Sequence, residues 1–411
     1  MGFEKLNLHP DILKSLKKSG FVEPTPIQAR CIPELKAGKD VVGQSLTGSG
    51  KTWAFGIPLV EKITPGNGIK AVILAPTREL ALQVTDTLST LSAFRGLRVT
   101  TVYGGVGIQQ QIDALRRADI VVATPGRMLD HISRNTIKLD KVEFLVLDEA
   151  DKMFEMGFID DVKDIMSRLP MNRQTMLFSA TMPGEVDNLI KRYLKNPVII
   201  KEKVHVDHSL LKQIYFEVNQ HDKFALLLHL LKHATPGLAI VFCQTRREVD
   251  VITKNLKSHK IDALAVHGGL SQHQRTAAVS ALKSERIAVL VATDVAARGL
   301  DIQNISHIYN YDAPKNSLEY THRIGRTARA GKSGEAITLL TERDHENFRN
   351  VLSDRQIQVQ REELPQFERV KFVRAQSRFS RGPFRGHSTG HSSRGYSGDQ
   401  HSQRRFGNRR R

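Results

Sequence analysis

The sequence is poor in cysteine, in long apolar runs and in acidic residues. Its 411 residues include two cysteines, Cys31 and Cys243, which lie far apart and follow no metal-ligand spacing. We therefore expect neither a disulfide framework nor a zinc site, and a reducing cytoplasm fits. The longest apolar stretches, such as residues 287–294, have the length of a strand, whereas a membrane helix needs about 18 apolar residues or more. The N-terminus lacks the apolar core and cleavage site of a secretory signal, so we expect a cytoplasmic protein without a membrane span.

Acidic residues are outnumbered: 43 Asp and Glu stand against 61 Lys and Arg, and the formal net charge is +18. Residues 375–411 contribute +8 through nine Arg and one acid, and they contain no Leu, Ile, Val or Met. Such a segment does not build a core, so we predict a disordered, Arg/Gly/Ser-rich tail over residues 366–411. Arg contacts phosphates and the interleaved aromatics stack on bases, which favours an auxiliary nucleic-acid tether over a solvated terminus. Recruitment of a protein partner by the tail stays open.

Upstream of the tail, short β-branched runs alternate with longer amphipathic stretches, which is typical of parallel sheets covered by helices. The predicted strands of the first half are DVVGQS, AVILAPT, RVTTVYGG, DIVVATP, FLVLDEA and TMLFSAT. Those of the second half are QIYFEV, LAIVFCQT, DALAVHGG, IAVLVATD, HIYNYD and EAITLLT. VYGG at 102–105 recurs as VHGG at 266–269, and VVAT at 121–124 recurs as LVAT at 290–293. We therefore predict an α/β fold with two similar domains in tandem, over residues 1–206 and 207–365.

A glycine-rich loop, SLTGSGKT at 45–52, follows a predicted strand and opens a predicted helix. Backbone N–H groups of such a loop wrap phosphates, and the helix N-terminus adds its positive dipole end. Lys51 is then placed to reach the β and γ phosphates, and Thr52 to face a magnesium ion. Ser45 occupies the position of the first glycine in the general pattern, where a small residue still permits the tight turn.

Two further clusters support ATP hydrolysis. FLVLDEAD at 144–151 is an apolar strand that ends in carboxylates. Asp148 is placed to hold magnesium, and Glu149 to orient or deprotonate the attacking water. In the other half, HRIGRTARAG at 322–331 carries Arg326 and Arg329 three residues apart, which predicts arginine fingers that act across the two domains.

The succession of these motifs resembles that of the DEAD-box RNA helicases over about residues 1–365, and residues 148–151 spell the family's name. The resemblance implies two tandem RecA-like domains, ATP and Mg²⁺ as cofactors, and RNA as substrate. GFVEPTPIQ at 20–28 is similar to the family's adenine-reading motif, with Gln28 on the base and Phe3 as the stacking aromatic. The implied nucleotide-binding residues are Phe3, Gln28, Ser45, Thr47, Gly48, Ser49, Gly50, Lys51, Thr52 and Asp301, the last of them at the ribose.

The remaining motifs, by the same resemblance, contact RNA or couple its binding to hydrolysis. The implied RNA contacts of the first domain are Pro76, Thr77, Arg78, Gly105, Thr124, Pro125, Gly126 and Arg127. Those of the second domain are Thr245, Gly269, Gln272, Arg275 and Thr293. Asp151, Ser179 and Thr181 would couple the domains, while His322, Arg326 and Arg329 would complete the ATPase site.

Leu46 and Trp53 depart from the family pattern. Leu46 stands where Gln is common, and Trp53, where a smaller residue is usual, is expected to serve core packing.

The implied mechanism is a clamp: ATP and single-stranded RNA close the two domains together, a short duplex is separated locally, and hydrolysis releases the RNA. One chain carries both halves of the site, so a monomer suffices. Two alternatives stay open, a non-catalytic RNA chaperone driven by the tail and a DNA helicase or translocase. The sequence identifies no partner in ribosome assembly or RNA decay.

Overall fold

The structure is a computed structural model of the 411-residue chain. It describes residues 2–45, 48–202, 210–235, 237–297, 305–328, 333–355 and 357–373, without the side chains of Gln272 and Val295. We call residues 2–202 the first lobe and residues 210–373 the second lobe. In the part so described, no helix is both long and apolar enough to cross a membrane.

The first lobe alternates strands with helices after a short 3-10 helix at Phe3–Leu6. Its strands are β1 (Val41–Gln44), β2 (Ala71–Leu74), β3 (Val99–Val102), β4 (Ile120–Ala123), β5 (Phe144–Asp148), β6 (Gln174–Ser179) and β7 (Val198–Lys201). Its helices are α1 (Pro10–Lys18), α2 (Pro26–Lys36), α3 (Lys51–Lys62), α4 (Arg78–Ser92), α5 (Ile108–Leu115), α6 (Pro125–Ser133), α7 (Ala150–Glu155), α8 (Ile159–Ser167) and α9 (Gly184–Tyr193).

The second lobe repeats this alternation. Its strands are β8 (Leu211–Glu217), β9 (Leu238–Phe242), β10 (Ala263–Val266), β11 (Val289–Ala292), β12 (Ile305–Asn310), β13 (Gly334–Leu340) and β14 (Gln360–Arg361). Its helices are α10 (Lys223–His233), α11 (Arg246–Ser258), α12 (Gln272–Lys283), α13 (Asp294–Ala297), α14 (Ser317–Ile324) and α15 (His345–Leu352), with a 3-10 turn at Glu342–Asp344.

Each lobe is built on one parallel sheet, and the two sheets have the same strand order. The first runs β3-β4-β2-β5-β6-β1-β7 and the second β10-β11-β9-β12-β13-β8-β14, which is the same sequence of positions when each lobe is counted from its own first strand. The recurring tetrapeptides of the sequence fall on corresponding strands, β3 with β10 and β4 with β11. The predicted α/β fold with two similar tandem domains is confirmed.

Burial on both faces explains the apolar strands. β2, β4 and β5 are buried at every position, and one hydrophobic cluster packs on each face of each sheet. Parallel strands covered by helices on both sides need apolar residues on both sides, so they read as continuous rather than alternating runs. The packing of these strands fixes the position of their ends, and the polar motifs begin at those ends.

The chain beyond residue 365 differs from the prediction. Residues 366–373, assigned to the tail, pack against α10 and α11 of the second lobe, and the compact unit ends at Val373. Phe372 and Phe224 have ring centroids 5.0 Å apart, and the amide of Asn255 bonds the main chain of Val373 in both directions. Residues 374–411 and the predicted domain boundary at 206/207 lie outside the described residues.

Candidate nucleotide site and RNA-facing edge

The predicted motifs follow the carboxyl ends of successive strands. The phosphate loop follows β1, residues 75–80 follow β2, Gly104 and Gly105 follow β3, residues 124–127 follow β4, and Asp148 ends β5. In parallel sheets these strand ends share one edge, which is where ligands of such folds bind. The edge therefore brings together groups that are up to about 100 residues apart in sequence.

The phosphate loop turns sharply into α3. Gly48 and Gly50 have φ values of 87° and 90°, a left-handed conformation that glycine adopts without steric cost. Lys51, the first residue of α3, is 6% exposed and donates from Nζ to the carbonyl of Ser45 at 2.8 Å. Lys51 thus closes the loop on itself, while Thr47 lies outside the described residues.

Gln28 of α2 is fully buried against this loop. Its Oε1 accepts from the backbone N–H of Thr25 at 3.0 Å, and its Nε2 donates to the carbonyl of Gly50 at 3.1 Å. The hydroxyl of Thr25 donates to the carbonyl of Ser49 at 2.8 Å. The residues expected to read adenine therefore also brace the phosphate loop.

The family resemblance implies that the aromatic ring of Phe3 stacks on the adenine base. Phe3 is 4% exposed and packs in the core of the first lobe, so the structure buries the residue expected to stack on the base. Phe21 and Trp53 are half-buried, with ring centroids 4.4 Å apart. Trp53 packs on the same core, as predicted for it.

Asp148 and Glu149 lie buried at the end of β5, close to two lysines. Burial raises the pKa of Asp148 to about 7, although the ammonium of Lys51 acts against this. Burial likewise opposes the charge of Glu149, but Lys152 at 2.7 Å and Lys51 outweigh it and lower the pKa of Glu149 to about 2. Glu149 is thus held as a carboxylate in a dry site.

One oxygen of this cluster suits a cation. Oδ1 of Asp148 is buried and has no hydrogen-bond partner within the described residues. The charge of Lys51, the residue before Thr52, acts on Asp148, and an unsatisfied carboxylate oxygen is the kind of hard oxygen donor that Mg²⁺ prefers. Asp148 and Thr52 therefore fit the divalent cation expected here.

The three predicted coupling residues are in direct contact. Oδ2 of Asp151 accepts from the backbone N–H and the hydroxyl of Thr181, at 2.9 and 3.0 Å. The hydroxyl of Ser179 accepts from the backbone N–H of Asp151 at 3.1 Å and donates to the carbonyl of Thr181 at 2.7 Å. This network joins the ends of β5 and β6.

The second lobe contains buried basic residues, and one of them acts on Glu149 of the first lobe. His322 and Arg326 are 7% and 5% exposed, and the charge of Arg326 helps to lower the pKa of Glu149. Arg323 between them makes a bidentate ion pair with Asp294, with 2.6 and 2.7 Å hydrogen bonds. Arg329 and Asp301, predicted as a finger and a ribose contact, lie outside the described residues.

The first-lobe RNA motifs interlock at the strand ends. Gly105 has a φ of 84°, and the guanidinium carbon of Arg78 lies 2.7 Å from where its Cβ would be, so another residue would be strained here and would displace Arg78. Arg127 donates to the carbonyl of Val106 at 3.3 Å. Thr77 caps α4 by accepting from Leu80, and Pro76, Thr124, Pro125 and Gly126 lie on the same edge.

The second-lobe RNA motifs lie on the corresponding edge. The hydroxyl of Thr245 caps α11, Gly269 donates from its backbone to His267 at 3.1 Å, and Thr293 follows β11. The side chain of Gln272 is outside the described residues. Arg275, expected at RNA, instead makes an ion pair with Glu79 of the first lobe at 2.9 Å.

Several contributors were not predicted from the sequence. Lys152 pairs with Glu149, Glu79 with Arg275, Arg323 with Asp294, and Glu202 with Ser45. The i,i+3 spacing of Glu149 and Lys152 is a signal that sequence reasoning had available. The other three pairs join residues 29 to 196 positions apart, so only the fold reveals them.

Comparison with known proteins agrees with this geometry. The DEAD/DEAH box helicase family model matches residues 25–189, and the helicase conserved C-terminal domain model matches residues 222–331. The DEAD-box ATP-dependent RNA helicase CshA of Bacillus licheniformis is 48% identical over 85% of this chain and 72% of its own length. CshA of Bacillus subtilis is 47% identical over 85% of this chain and 71% of its own.

Solved structures match both lobes together. A DEAD box protein from Methanococcus jannaschii is 42% identical, covers 88% of this chain and 99% of its own, and superposes with a TM-score of 0.55. Saccharomyces cerevisiae Dbp5 bound to RNA and ADP BeF3 is 32% identical, covers 88% and 96%, and superposes with a TM-score of 0.80. The chain therefore belongs to the DEAD-box family and is an ATP-dependent RNA helicase.

Proposed function

We propose that the protein is an ATP-driven clamp on single-stranded RNA. ATP and RNA close the two lobes together, the closed cleft separates a short duplex locally or remodels an RNA–protein complex, and hydrolysis releases the RNA. The domains proposed for this cycle are residues 1–206 and 207–365, with residues 366–373 packed on the second lobe and residues 374–411 as the tail.

The observation that carries the proposal is the meeting of charged groups from both lobes. Arg326 of the second lobe acts on Glu149 of the first, and Arg275 pairs with Glu79 at 2.9 Å. Lys152 and Lys51 already hold Glu149 as a carboxylate, and the arginine of the other lobe is beside it only when the lobes meet. Hydrolysis is then conditional on closure, which is what a clamp requires.

The comparison with solved structures supports a closed arrangement. The Methanococcus protein is more similar in sequence than Dbp5 but superposes less well over a similar share of this chain. Similar sequences preserve the fold of each lobe, so the difference between the two superpositions reflects how the lobes are arranged. We infer from this an arrangement nearer to that of Dbp5 bound to RNA and ADP BeF3.

The residues of the site divide the proposed reaction among them. Lys51 leaves the carbonyl of Ser45 to neutralise the β and γ phosphates, and Glu149 orients or deprotonates the attacking water. Asp148 and Thr52 hold Mg²⁺, which supplies charge neutralisation at the phosphates. Arg326, together with Arg329, stabilises the charge that develops on the transferred phosphoryl group, a contribution of about 10³ to 10⁵ in rate for an arginine finger.

RNA is gripped through its sugars and phosphates at the edge formed by the motifs of both lobes, so the core has little sequence preference. The basic tail acts as an auxiliary RNA tether. A monomer suffices because one chain supplies both halves of the site, and the cytoplasm is the proposed location.

The test is steady-state ATP hydrolysis alone, with single-stranded RNA, and with DNA of the same sequence, across a salt series. Stimulation by RNA and not by DNA is expected, because the 2′-hydroxyl distinguishes them. The salt series is needed because binding by the basic tail at low salt would mask a weak preference for RNA. The logarithm of single-strand affinity falls by about 0.7 per neutralised phosphate for each decade of salt, so high salt reduces this masking. Equal stimulation by DNA would favour a DNA motor. Turnover indifferent to RNA despite tight binding would favour an RNA chaperone.

A further inference from the structure

Ser45 is the meeting point of three parts of the first lobe. It is fully buried, its backbone N–H donates to the carbonyl of Ser179 at 3.0 Å, and its carbonyl accepts from Lys51 at 2.8 Å. Its hydroxyl donates to Oε2 of Glu202 at 2.5 Å and also contacts the hydroxyl of Ser49. One residue therefore touches the coupling motif, the phosphate-binding lysine and a carboxylate from outside every predicted motif.

Glu202 lies where the first lobe ends. Its backbone N–H donates to the carbonyl of Gln44 at 2.9 Å, which extends the β1–β7 ladder by one residue. Arg30 secures the preceding residue by donating to the carbonyl of Lys201 at 2.8 Å. Residues 203–209, which connect the two lobes, follow at once. The carboxylate that holds Ser45 is thus fixed to the first lobe immediately before the connection to the second.

The hydroxyl of Ser45 is what makes this contact possible. If residue 45 were a glycine, as in the general phosphate-loop pattern, or another residue without a donor, it could not donate to Glu202. Glu202 would then have no partner at this point. Hydrogen bonds to a charged acceptor are among the stronger ones, and burial strengthens them further. Ser45, which this carboxylate holds, is the first residue of a loop built for phosphate, so we expect the negative charge of a bound nucleotide to act against that of Glu202.

We propose that Ser45 and Glu202 form a brace that couples the state of the phosphate loop to the connection between the lobes. The inference rests on the proposed clamp. Entry of the nucleotide phosphates draws Lys51 from the carbonyl of Ser45 and brings negative charge toward Glu202. The change is transmitted through the Ser45–Glu202 hydrogen bond to Glu202, the residue immediately before the connection. Ser45 and Glu202 are positioning residues in this scheme, because neither needs to touch the reacting atoms.

The test measures coupling between nucleotide and RNA rather than turnover. The affinity of the full-length protein for a fluorescent single-stranded RNA is measured with saturating ADP BeF3 and with saturating ADP, and the ratio of the two affinities is the coupling. Ser45→Ala removes the donor, and Glu202→Gln keeps an acceptor but removes the charge. Lys201→Ala is the matched control, because that side chain is exposed and its carbonyl remains.

We expect Ser45→Ala to lower the ratio about tenfold, the change that loss of one charge-assisted hydrogen bond predicts, and Glu202→Gln to lower it less. The double variant should lower it no further than Ser45→Ala alone, because both changes act on one contact. Affinity for ADP without RNA should change less than the ratio does. The control should match the wild-type protein.

An unchanged ratio in both single variants, with wild-type coupling present, overturns the brace and leaves the clamp standing. A wild-type ratio of one overturns the clamp and the brace with it. If Ser45→Ala does not fold, as judged by circular dichroism, Glu202→Gln decides the matter.

Discussion

Glu149 combines a rare backbone conformation with a controlled charge. Its φ of 53° lies in the left-handed region, which costs about 1 to 3 kcal/mol when a residue other than glycine is held there. Together with Lys152 at 2.7 Å, this conformation fixes the direction of the carboxylate at the start of α7. Strain at a buried acid beside the phosphate loop is consistent with the role predicted from the motif.

Glu149→Gln is therefore expected to bind ATP as the wild type does but to lower the hydrolysis rate by about 10² to 10⁴, the usual contribution of a positioned general base. RNA should dissociate more slowly, because release follows hydrolysis in the proposed cycle. Single-turnover hydrolysis and RNA dissociation after dilution measure both effects. Asp160→Asn is the control for loss of one charge, because that side chain is 86% exposed. Unchanged turnover in Glu149→Gln would contradict the catalytic role assigned to Glu149.

Glu248, in the first turn of α11 next to Thr245, makes the stability of the second lobe depend on pH. Burial and the neighbouring Asp312 raise the pKa of Glu248 from 4.5 to about 8, despite the opposing charge of Lys223. The folded state thus binds this proton more tightly than the unfolded state. Stability from this group is present below pH 4.5 and is lost as pH rises toward 8.

Glu248→Gln should accordingly stabilise the protein at pH 8.5 and have little effect at pH 4.5. About 1 kcal/mol is expected at the higher pH, because the side chain is half-exposed and solvent screens its charge. Thermal unfolding at both pH values measures this, with Glu346→Gln on α15 as the control. A variant that is destabilised equally at both pH values would contradict the assigned titration.

At the scale of single residues, the sequence predicts those that belong to local motifs but not the residues that pair with them by hydrogen bonds or ion pairs. The sequence predicts Lys51 and Asp148 at the nucleotide site and Asp151 among the coupling residues, and the structure brings all three to one edge. Glu79 and Glu202 were not predicted, because their partners, Arg275 and Ser45, are distant in sequence. Phe3, expected to stack on the base, is buried in the core. The sequence does not predict this burial, because an aromatic residue in a motif can serve either packing or ligand contact.

Among the elements, the edge strands and the final segment depart from the prediction. The twelve predicted strands all form, whereas β7 and β14 were not predicted. β7 has four residues and β14 two, and each pairs on one side only, so neither needs the continuous apolar run that marks a central strand. Residues 366–373 were assigned to the tail because charged residues separate their apolar ones. Three apolar side chains of this segment nevertheless pack on the second lobe: Phe367, Val370 and Phe372.

Two truncations separate the predicted boundary from the observed one. Deletion of residues 374–411 should leave the unfolding temperature of the lobes unchanged, because the compact unit ends at Val373. Deletion of residues 366–411 exposes Phe224 and removes both bonds between Asn255 and Val373, and we expect about 1 to 3 kcal/mol of destabilisation.

Thermal unfolding of the two truncated proteins makes the comparison directly. Phe372→Ala in the full chain is the point-variant check, and it should show part of the same loss. Equal unfolding temperatures for the two truncations would mean that residues 366–373 do not stabilise the second lobe.

At the scale of the whole molecule, duplication explains the architecture but not the contact between the copies. The shared strand order follows from two similar sequences, and the internal repeats predict it. The surface where the lobes meet is asymmetric: one lobe supplies the phosphate loop and acids, and the other supplies arginines. Complementary charge at that surface is therefore what distinguishes a closed clamp from two independent domains.

The ion pair of Glu79 and Arg275 provides the test of this view. The side chains are 9% and 15% exposed, so reversing one charge leaves two like charges close together in a poorly solvated place. Glu79→Arg and Arg275→Glu should each lower RNA-stimulated ATP hydrolysis at least about tenfold, and the double reversal should recover a large part of it, because opposite charges face each other again. Arg116→Glu, at a residue whose side chain is 71% exposed, controls for a reversal away from the contact. Rates are measured at saturating RNA, where an RNA contact by Arg275 alone would give no recovery in the double variant. Recovery thus assigns Arg275 to closure of the lobes, whereas its absence returns that residue to the RNA interface predicted from its motif.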